Sequence, residues 1–191
     1  MNIVNVGYDS TNYYVIGNAT TKLLIDIGWP GTLPKLLHAL KRKGMHIQEI
    51  EYLVITHYHP DHAGLAQEVK RQGVRLVVLE NQTQAIPAIR HYMKPVNHYV
   101  EIDLNDNINL ITGETRAFLS ALGMEGEIIS TPGHTEDSIT VILDEGAAFT
   151  GDLPHLQVAE GSDKTRLSWE KLRRHNVKTI YPGHDPSRPA E

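Results

Sequence analysis

Four apolar segments of this chain each end in a turn that contains residues of the types that bind metal ions. The turns cover residues 56–62, 131–134, 150–152 and 181–184. The first turn is the richest, because His57, His59, Asp61 and His62 follow one another within six residues. In α/β sheets, functional groups gather at the carboxyl ends of strands, so the four turns are expected to meet at one edge. The sequence therefore predicts a single metal centre.

The ligands of this centre are expected to be histidine and aspartate, because the chain has no cysteine. The spacing divides them into two groups, each predicted to bind one ion. The groups are His57, His59 and His134, and Asp61, His62 and His184. Asp152 is the predicted bridge, because a shared oxygen anion offsets the repulsion between two neighbouring cations. The predicted cofactors are two divalent metal ions, with zinc expected and iron and manganese as alternatives.

Short β-branched runs alternate with segments of helical periodicity, which predicts a layered α/β fold. The predicted strands are residues 3–6, 13–16, 23–27, 52–56, 74–79, 99–102, 127–130, 139–143, 147–150 and 177–181. Helices are predicted after Thr32, which is expected to cap the first, over residues 63–72, around Leu119, and over residues 168–174. With 40% hydrophobic content, 191 residues are enough for one core, so residues 1–191 are predicted to form a single domain.

The string from His57 to His62, together with Pro132-Gly133-His134, Gly151-Asp152 and Pro182-Gly183-His184, resembles the metallo-β-lactamase-fold hydrolase superfamily over nearly the whole chain. The resemblance implies a four-layer αββα sandwich built from two similar halves. Members of the superfamily cleave thioesters, β-lactams, lactones and phosphodiesters, and some use one iron ion to oxidise persulfides. The ligand set resembles that of glyoxalase II, but only seven residues follow His184, so a C-terminal glutathione-binding domain is not expected. The missing cysteine ligand also counts against antibiotic cleavage.

The resulting expectation is a metal-dependent hydrolase in which a hydroxide held at a dinuclear site attacks a small ester, thioester, lactone or phosphodiester. Asp61, or a metal-bound water, is expected to handle the leaving-group proton as the catalytic acid or base. The alternative is a mononuclear iron oxygenase on the same fold, resembling the persulfide dioxygenases. A protein that binds ligands without turnover is a third hypothesis.

The substrate is expected to be a small molecule held by loops beside the metal turns. Its predicted contacts are Tyr8, Asn12, Trp29, Leu153 and His155. Asp26, at the end of the third strand, is predicted to orient the imidazole of a metal ligand.

The charge pattern and hydropathy argue against some classes of partner. The net charge is −5 and no basic stripe is present, so nucleic acid is not an expected partner. No apolar run is long enough for a membrane span and no signal peptide is evident, so a cytoplasmic location is expected. The oligomeric state stays open.

Overall fold

Two β-sheets form the centre of the computed structural model, which describes residues 1–158 and 162–190. The first sheet has six strands in sequential order. They are β1 Asn2–Asn5, β2 Tyr14–Gly17, β3 Lys22–Ile25, β4 Tyr52–Val54, β5 Arg75–Leu79 and β6 Ile108–Leu110. The second sheet has five strands in the order β11-β10-β9-β8-β7. They are β7 Gly126–Ser130, β8 Ile139–Leu143, β9 Ala147–Gly151, β10 Thr179–Pro182 and β11 Arg188–Pro189.

Five α-helices accompany these sheets in the described residues. They are α1 Leu33–Arg42, α2 Pro60–Ala63, α3 Ala66–Lys70, α4 Thr115–Ala121 and α5 Asp163–Arg174. Short 3-10 helices cover Ile47–Glu49, Glu80–Gln82, Ile86–Tyr92, Pro95–Asn97, Thr112–Glu114 and Leu156–Val158. No helix among the described residues has the length and hydropathy needed to cross a membrane.

The direction of the strands decides where the metal turns lie. In the first sheet β1 to β3 are antiparallel, whereas β3 to β6 run parallel to one another. In the second sheet β9 and β10 are parallel, and β7 has the same direction because two antiparallel pairings separate it from β9. The turns after β7, β9 and β10 therefore leave the same edge of the second sheet.

The strands alternate between two apolar surfaces, as a period of two residues requires. In β2, Tyr14 and Ile16 belong to the apolar layer between the sheets, whereas Val15 packs in the layer that contains α1 and α3. In β7, Ile128 joins the layer between the sheets and Ile129 packs in the layer of α5. Helices, sheet, sheet and helix thus follow one another, and the predicted four-layer αββα sandwich is confirmed.

The structure corrects four local predictions. Thr32 precedes α1 without a side-chain capping hydrogen bond, because its hydroxyl donates to the carbonyl of Trp29. The helix predicted over 63–72 is divided into α2 and α3 and begins at Pro60. Residues 99–102 form no strand, and the edge strand is β6 instead. Helix α5 begins earlier than predicted, because the Ser162 hydroxyl accepts the N–H of Thr165 as an N-cap.

Candidate metal centre

The folding of the chain brings all seven predicted metal ligands into one cluster. The ligands form three groups, and within each group the nitrogen and oxygen ligand atoms all lie within 4.8 Å of one another. The groups are His57, His59 and His134; His57, His62 and Asp152; and Asp61, His62 and His184. The first and third groups are the two sets that the sequence spacing predicts. The middle group connects them through Asp152.

The first group joins the two sheets. His57 and His59 follow β4 in the first sheet, whereas His134 follows β7 in the second. The three imidazole rings have centroids 4.7 to 4.8 Å apart. Nδ1 of His59 lies 3.0 Å from Nε2 of His134, so these two nitrogens face the same small volume.

The second group combines a helix turn with the loop after β10. Asp61 and His62 lie in α2, which begins at Pro60, so these two side chains leave a helical turn rather than the irregular loop expected from the sequence. Oδ2 of Asp61 is 3.3 Å from Nε2 of His184 and 3.7 Å from Nε2 of His62. The hydroxyl of Thr11 donates to the same carboxylate oxygen at 3.4 Å.

Asp152 lies between the two groups and faces both. Its Oδ1 is 3.3 Å from Nε2 of His62, and its Oδ2 is 3.3 Å from Nε2 of His184. Oδ2 also lies 3.7 Å from Nε2 of His134 and 3.8 Å from Nε2 of His57. Burial acts to raise the pKa of Asp152, but the positive charge of the neighbouring His62 outweighs it and holds this pKa well below its usual range. The carboxylate is therefore ionised, as a bridging ligand must be.

Three atoms of this cluster are buried and have no hydrogen-bond partner among the described residues: Nε2 of His57, Nε2 of His62 and Oδ1 of Asp152. An unsatisfied buried polar atom costs about 1–3 kcal/mol, so three together require an explanation. Metal ions supply one, because imidazole nitrogens and carboxylate oxygens are the donors that zinc accepts. Burial and the neighbouring His62 lower the pKa of His57, which favours the neutral imidazole that binds metal. The donor set fits divalent cations.

Asp26 controls the protonation of two of the ligands. Its carboxylate accepts Nδ1–H of His62 at 2.9 Å, and both the amide and the hydroxyl of Thr56 at 2.7 Å. The Thr56 hydroxyl uses its hydrogen in the bond to Asp26, so its oxygen accepts a hydrogen bond from Nδ1–H of His57 at 3.2 Å. When they are neutral, both imidazoles therefore present an Nε2 lone pair to the centre. The contact between Asp26 and an imidazole agrees with the sequence prediction.

Without a metal ion, His62 holds a proton strongly. Burial acts to lower its pKa, but the carboxylates of Asp26 and Asp152 raise it to about 10. A metal ion at Nε2 takes the place of that proton, so binding at this ligand releases a proton near neutral pH.

Two polar residues that support the His57–His62 segment escaped the sequence analysis. The Asp137 carboxylate accepts the backbone N–H of Tyr58 at 2.8 Å, and Nε2 of Gln82 donates to the carbonyl of Ile55 at 2.8 Å. Asp137 lies just before β8 and only 8% of its surface is exposed. An acidic residue directly before a strand as apolar as β8 was the available signal, because such a residue is buried only when it has a partner.

The glycines in the metal turns have different roles. Gly151 has φ +53°, a left-handed conformation that favours glycine. At Gly183 the reason is space, since a Cβ there would lie 2.4 Å from Oδ1 of Asp152 and 2.6 Å from Cε1 of His62.

The predicted substrate contacts lie in different places. Tyr8 and Asn12 line a cavity of about 510 Å³ beside His184, and Leu153 and His155 line one of about 210 Å³ beside Asp152. Trp29 is 42% exposed and lines neither cavity.

The side chain of Asn12 forms its hydrogen bonds within the protein. Its Nδ2 donates to the carbonyls of Pro182 and Asp185 at 3.0 and 2.9 Å, and its Oδ1 accepts from Asn5. These bonds hold the loop that carries His184, which itself donates from Nδ1 to the carbonyl of Ser10 at 2.8 Å. This placement favours a supporting role for Asn12 over direct contact with a substrate.

Tyr92 is a further aromatic residue at the centre that the sequence analysis did not select. Its ring lies edge-on to His59 with centroids 5.3 Å apart, and the residue is 57% exposed. It ends the 3-10 helix Ile86–Tyr92, which is anchored by buried Ile86 and Ile89. The segment has no clear periodicity, so the sequence could not place Tyr92 beside a ligand.

Comparison with known proteins adds an independent line of information. The family model described as the metallo-beta-lactamase superfamily matches residues 6–184. A probable metallo-hydrolase of Methanocaldococcus jannaschii is 29% identical over 194 residues, which cover 93% of this chain and 88% of that protein. A thioesterase of Emericella nidulans is 26% identical over 183 residues, covering 91% and 45%. The chain spans about half the length of several other curated relatives that it matches.

Solved structures give the same architecture. The crystal structure of a metallo-beta-lactamase family protein from Thermus thermophilus superposes with a TM-score of 0.75 at 20% sequence identity. The superposition covers 99% of this chain and 74% of that one. At this level of identity the likeness concerns the fold alone.

Proposed function

This chain belongs to the metallo-beta-lactamase superfamily, and we propose that it is a hydrolase that uses two divalent metal ions, zinc being the expected metal, to cleave a small ester or thioester. The superfamily match and the relative named as a probable metallo-hydrolase support hydrolysis as the class of reaction. The relative named as a thioesterase supports an acyl bond as the target. Lactones and small phosphodiesters are the next candidates.

The observation that carries the proposal is the position of Asp152. Its Oδ1 lies near Nε2 of His62, and its Oδ2 lies near Nε2 of His184, His134 and His57, so the carboxylate faces ligands of both predicted groups. A carboxylate in this position is suited to hold two cations at once. A single metal ion would be bound by only one of the two groups of ligands.

The residues of the chain prepare the site for hydrolysis. Bound divalent ions would supply a hydroxide at neutral pH and would polarise the oxygen of the scissile bond. The side chains of His57 and His62 keep their Nε2 lone pairs directed inward through Asp26 and Thr56. Asp61, less buried than His62, is placed to receive a proton at its carboxylate during cleavage.

Cleavage of a thioester would form a C–O bond from water to the carbonyl carbon and break the C–S bond. The acid and the thiol are the products, and the proton that water loses ends on the thiol sulfur or in the solvent.

The alternative of a mononuclear iron oxygenase accounts for fewer residues. A site built from His57, His59, His134 and Asp152 would leave His184 and Asp61 close to the centre without a function. Their ligand atoms lie 3.3 Å apart beside Nε2 of His62. The dinuclear proposal uses all of these atoms.

Two measurements test the proposal together. Elemental analysis of the purified protein is expected to give close to two transition-metal ions per chain. A panel of activated esters, thioesters, lactones and phosphodiesters is expected to reveal hydrolysis that a chelator abolishes and added zinc restores. A stoichiometry that stays at one after supplementation, together with oxygen consumption during turnover, would contradict the proposal and favour the iron alternative.

A further inference from the structure

A cleft of about 510 Å³ opens next to the metal centre. His184 lines the cleft on the side of the metal centre, and Tyr8 and Asn12 line it from the loop between β1 and β2. Arg42 and Lys43, at the carboxyl end of α1, line it as well. The cleft thus contains a metal ligand together with two cationic side chains that are distant from it in sequence.

The charges in this cleft do not cancel. Asp9 is the acidic side chain in the lining, and Nζ of Lys35 lies 2.7 and 3.0 Å from its two oxygens. Arg42 and Lys43 have no carboxylate oxygen within 4.0 Å in the described parts of the chain. Within those parts, two exposed positive charges are therefore left without a carboxylate partner.

A basic residue at the end of a helix has an ordinary explanation, because cations interact favourably with the carboxyl end of the helix dipole. That explanation applies to Lys41 as well as to Arg42, since both lie in the last turn of α1. Lys41, however, does not line the cleft, whereas Arg42 and Lys43 do. The dipole accounts for basic residues at this helix end but not for two cations facing this space.

The cavity on the other side of His184 is less suited to an anion. It has about 210 Å³ and is lined by Asp152 and Asp185 as well as by Arg188. The larger cleft has two cations and one paired acidic residue in its lining, whereas this cavity has Arg188 with two acidic residues, of which Asp152 is the proposed metal bridge.

We propose that the larger cleft binds the anionic end of the substrate's acyl group, a carboxylate or a phosphate, through Arg42 and Lys43. The inference rests on the proposed hydrolase function and narrows its substrates to acyl compounds with a negative charge at the end remote from the scissile bond. An exposed ion pair contributes at most about 1 kcal/mol, and we expect the two cations together to give about a three- to tenfold preference, which corresponds to about 0.7–1.4 kcal/mol. Salt reduces that preference, because the charges are exposed.

The test compares three thioesters of N-acetylcysteamine, a neutral thiol. One carries an adipoyl group, the second its terminal amide, and the third a terminal phosphonate on a chain of the same length. With zinc-loaded protein we expect kcat/KM about three- to tenfold higher for the adipoyl or the phosphonate compound than for the amide. The anionic compound with the higher kcat/KM shows whether the cleft prefers a carboxylate or a phosphonate. Arg42→Ala/Lys43→Ala is expected to abolish the preference by lowering kcat/KM for the two anionic compounds, whereas the control Lys41→Ala retains the preference.

A second measurement does not depend on turnover. Calorimetric titration with the N-butyl monoamide of adipic acid, which has no scissile thioester, is expected to show binding that is about three- to tenfold weaker in the double variant. Equal kcat/KM for all three thioesters, together with equal calorimetric affinities of the original protein and the double variant, would overturn the cleft proposal and leave the hydrolase function standing. No cleavage of any substrate, with the affinity difference present, would instead reject the hydrolase function and retain the anion site.

Discussion

The buried and exposed parts of the metal centre differ in how firmly the protein holds them. The floor of the centre consists of His57, His62 and Asp152, and its rim of His59, His134 and His184. The two floor imidazoles are at most 1% exposed, whereas the side chains of His134 and His184 are 32% and 38% exposed. The floor imidazoles depend on Asp26, directly or through Thr56, but His184 has a hydrogen bond to the Ser10 carbonyl and His134 a contact with His59.

The difference indicates separate functions. A buried ligand whose tautomer is fixed has little freedom to adjust, so the floor determines metal affinity. Water and substrate can reach an exposed ligand, so we expect a substrate to meet the centre at the rim. The cluster's three buried atoms without a hydrogen-bond partner among the described residues all belong to the floor, as this division requires.

The largest effect is expected from the residue that connects both groups. Asp152→Ala removes the carboxylate that faces all four neighbouring imidazoles, and activity should fall by about a thousandfold or more, because metal ions supply several kcal/mol of transition-state stabilisation. Both ions should bind more weakly, and the rise in Tm on adding zinc should shrink. Elemental analysis and thermal unfolding measure these losses.

His175→Ala is the control for this variant. His175 lies outside the centre, where Nδ1 is 3.3 Å from Glu127. It should leave metal content unchanged. Full metal content and activity in Asp152→Ala would show that the residue is not the bridge.

A smaller effect is expected from Asp26, which is hydrogen-bonded to the floor ligand His62. In Asp26→Asn the amide can donate to Nδ1 of His62, which would move the imidazole proton to Nε2 and block the lone pair that faces the metal. Loss of such a supporting carboxylate weakens metal binding by about 10- to 100-fold. Competition with a metal-binding dye measures the affinity.

Asp137→Asn is the matched control, because this second buried carboxylate accepts the backbone N–H of Tyr58, a bond that the asparagine carbonyl can also accept. We expect its metal affinity to stay within a fewfold of the original. If both asparagine variants weaken zinc binding equally, the effect is one of folding and not of the tautomer.

The sequence predicted the floor and much of the rim for a physical reason. Ligands that directly follow an apolar strand are placed by the sheet itself, so local pattern fixes the positions of His57, His134 and Asp152 in space. Asp26 could be predicted in the same way, because it directly follows β3. The alternation of strand and helix predicted a layered α/β fold, and the resemblance of the metal turns to a known superfamily implied the four layers.

What the sequence could not supply depends on packing between distant segments. Tyr92 reaches His59 across a stretch without periodicity, and Arg42 and His184 line the same cleft although they are far apart in the chain. The glycine between α2 and α3 is also subject to a constraint from tertiary packing. A Cβ at Gly64 would lie 2.5 Å from Cδ of Pro30, a contact between segments far apart in the chain.

Floor and rim can be compared directly by removing one imidazole from each. His57→Ala leaves a buried space and unpaired neighbours, whereas water can replace the exposed imidazole in His134→Ala. We expect zinc affinity to fall about tenfold further in His57→Ala, which corresponds to roughly the cost of one unsatisfied buried polar atom. Dye competition on both proteins gives the ratio. Equal losses would mean that burial does not separate floor from rim.

The smallest effect is expected at the aromatic residue beside the rim. Tyr92 contacts His59 edge-on and is largely exposed, so Tyr92→Ala should lower kcat/KM by about three- to tenfold, in keeping with the 0.5–1.5 kcal/mol of an aromatic pair, while metal content stays constant. Tyr92→Phe should retain most activity if the ring acts, and lose it if the hydroxyl does. Val96→Ala, 74% exposed and close by in sequence, is the control. Metal loss in Tyr92→Ala would make the tyrosine a support of His59 and move the substrate contact elsewhere on the rim.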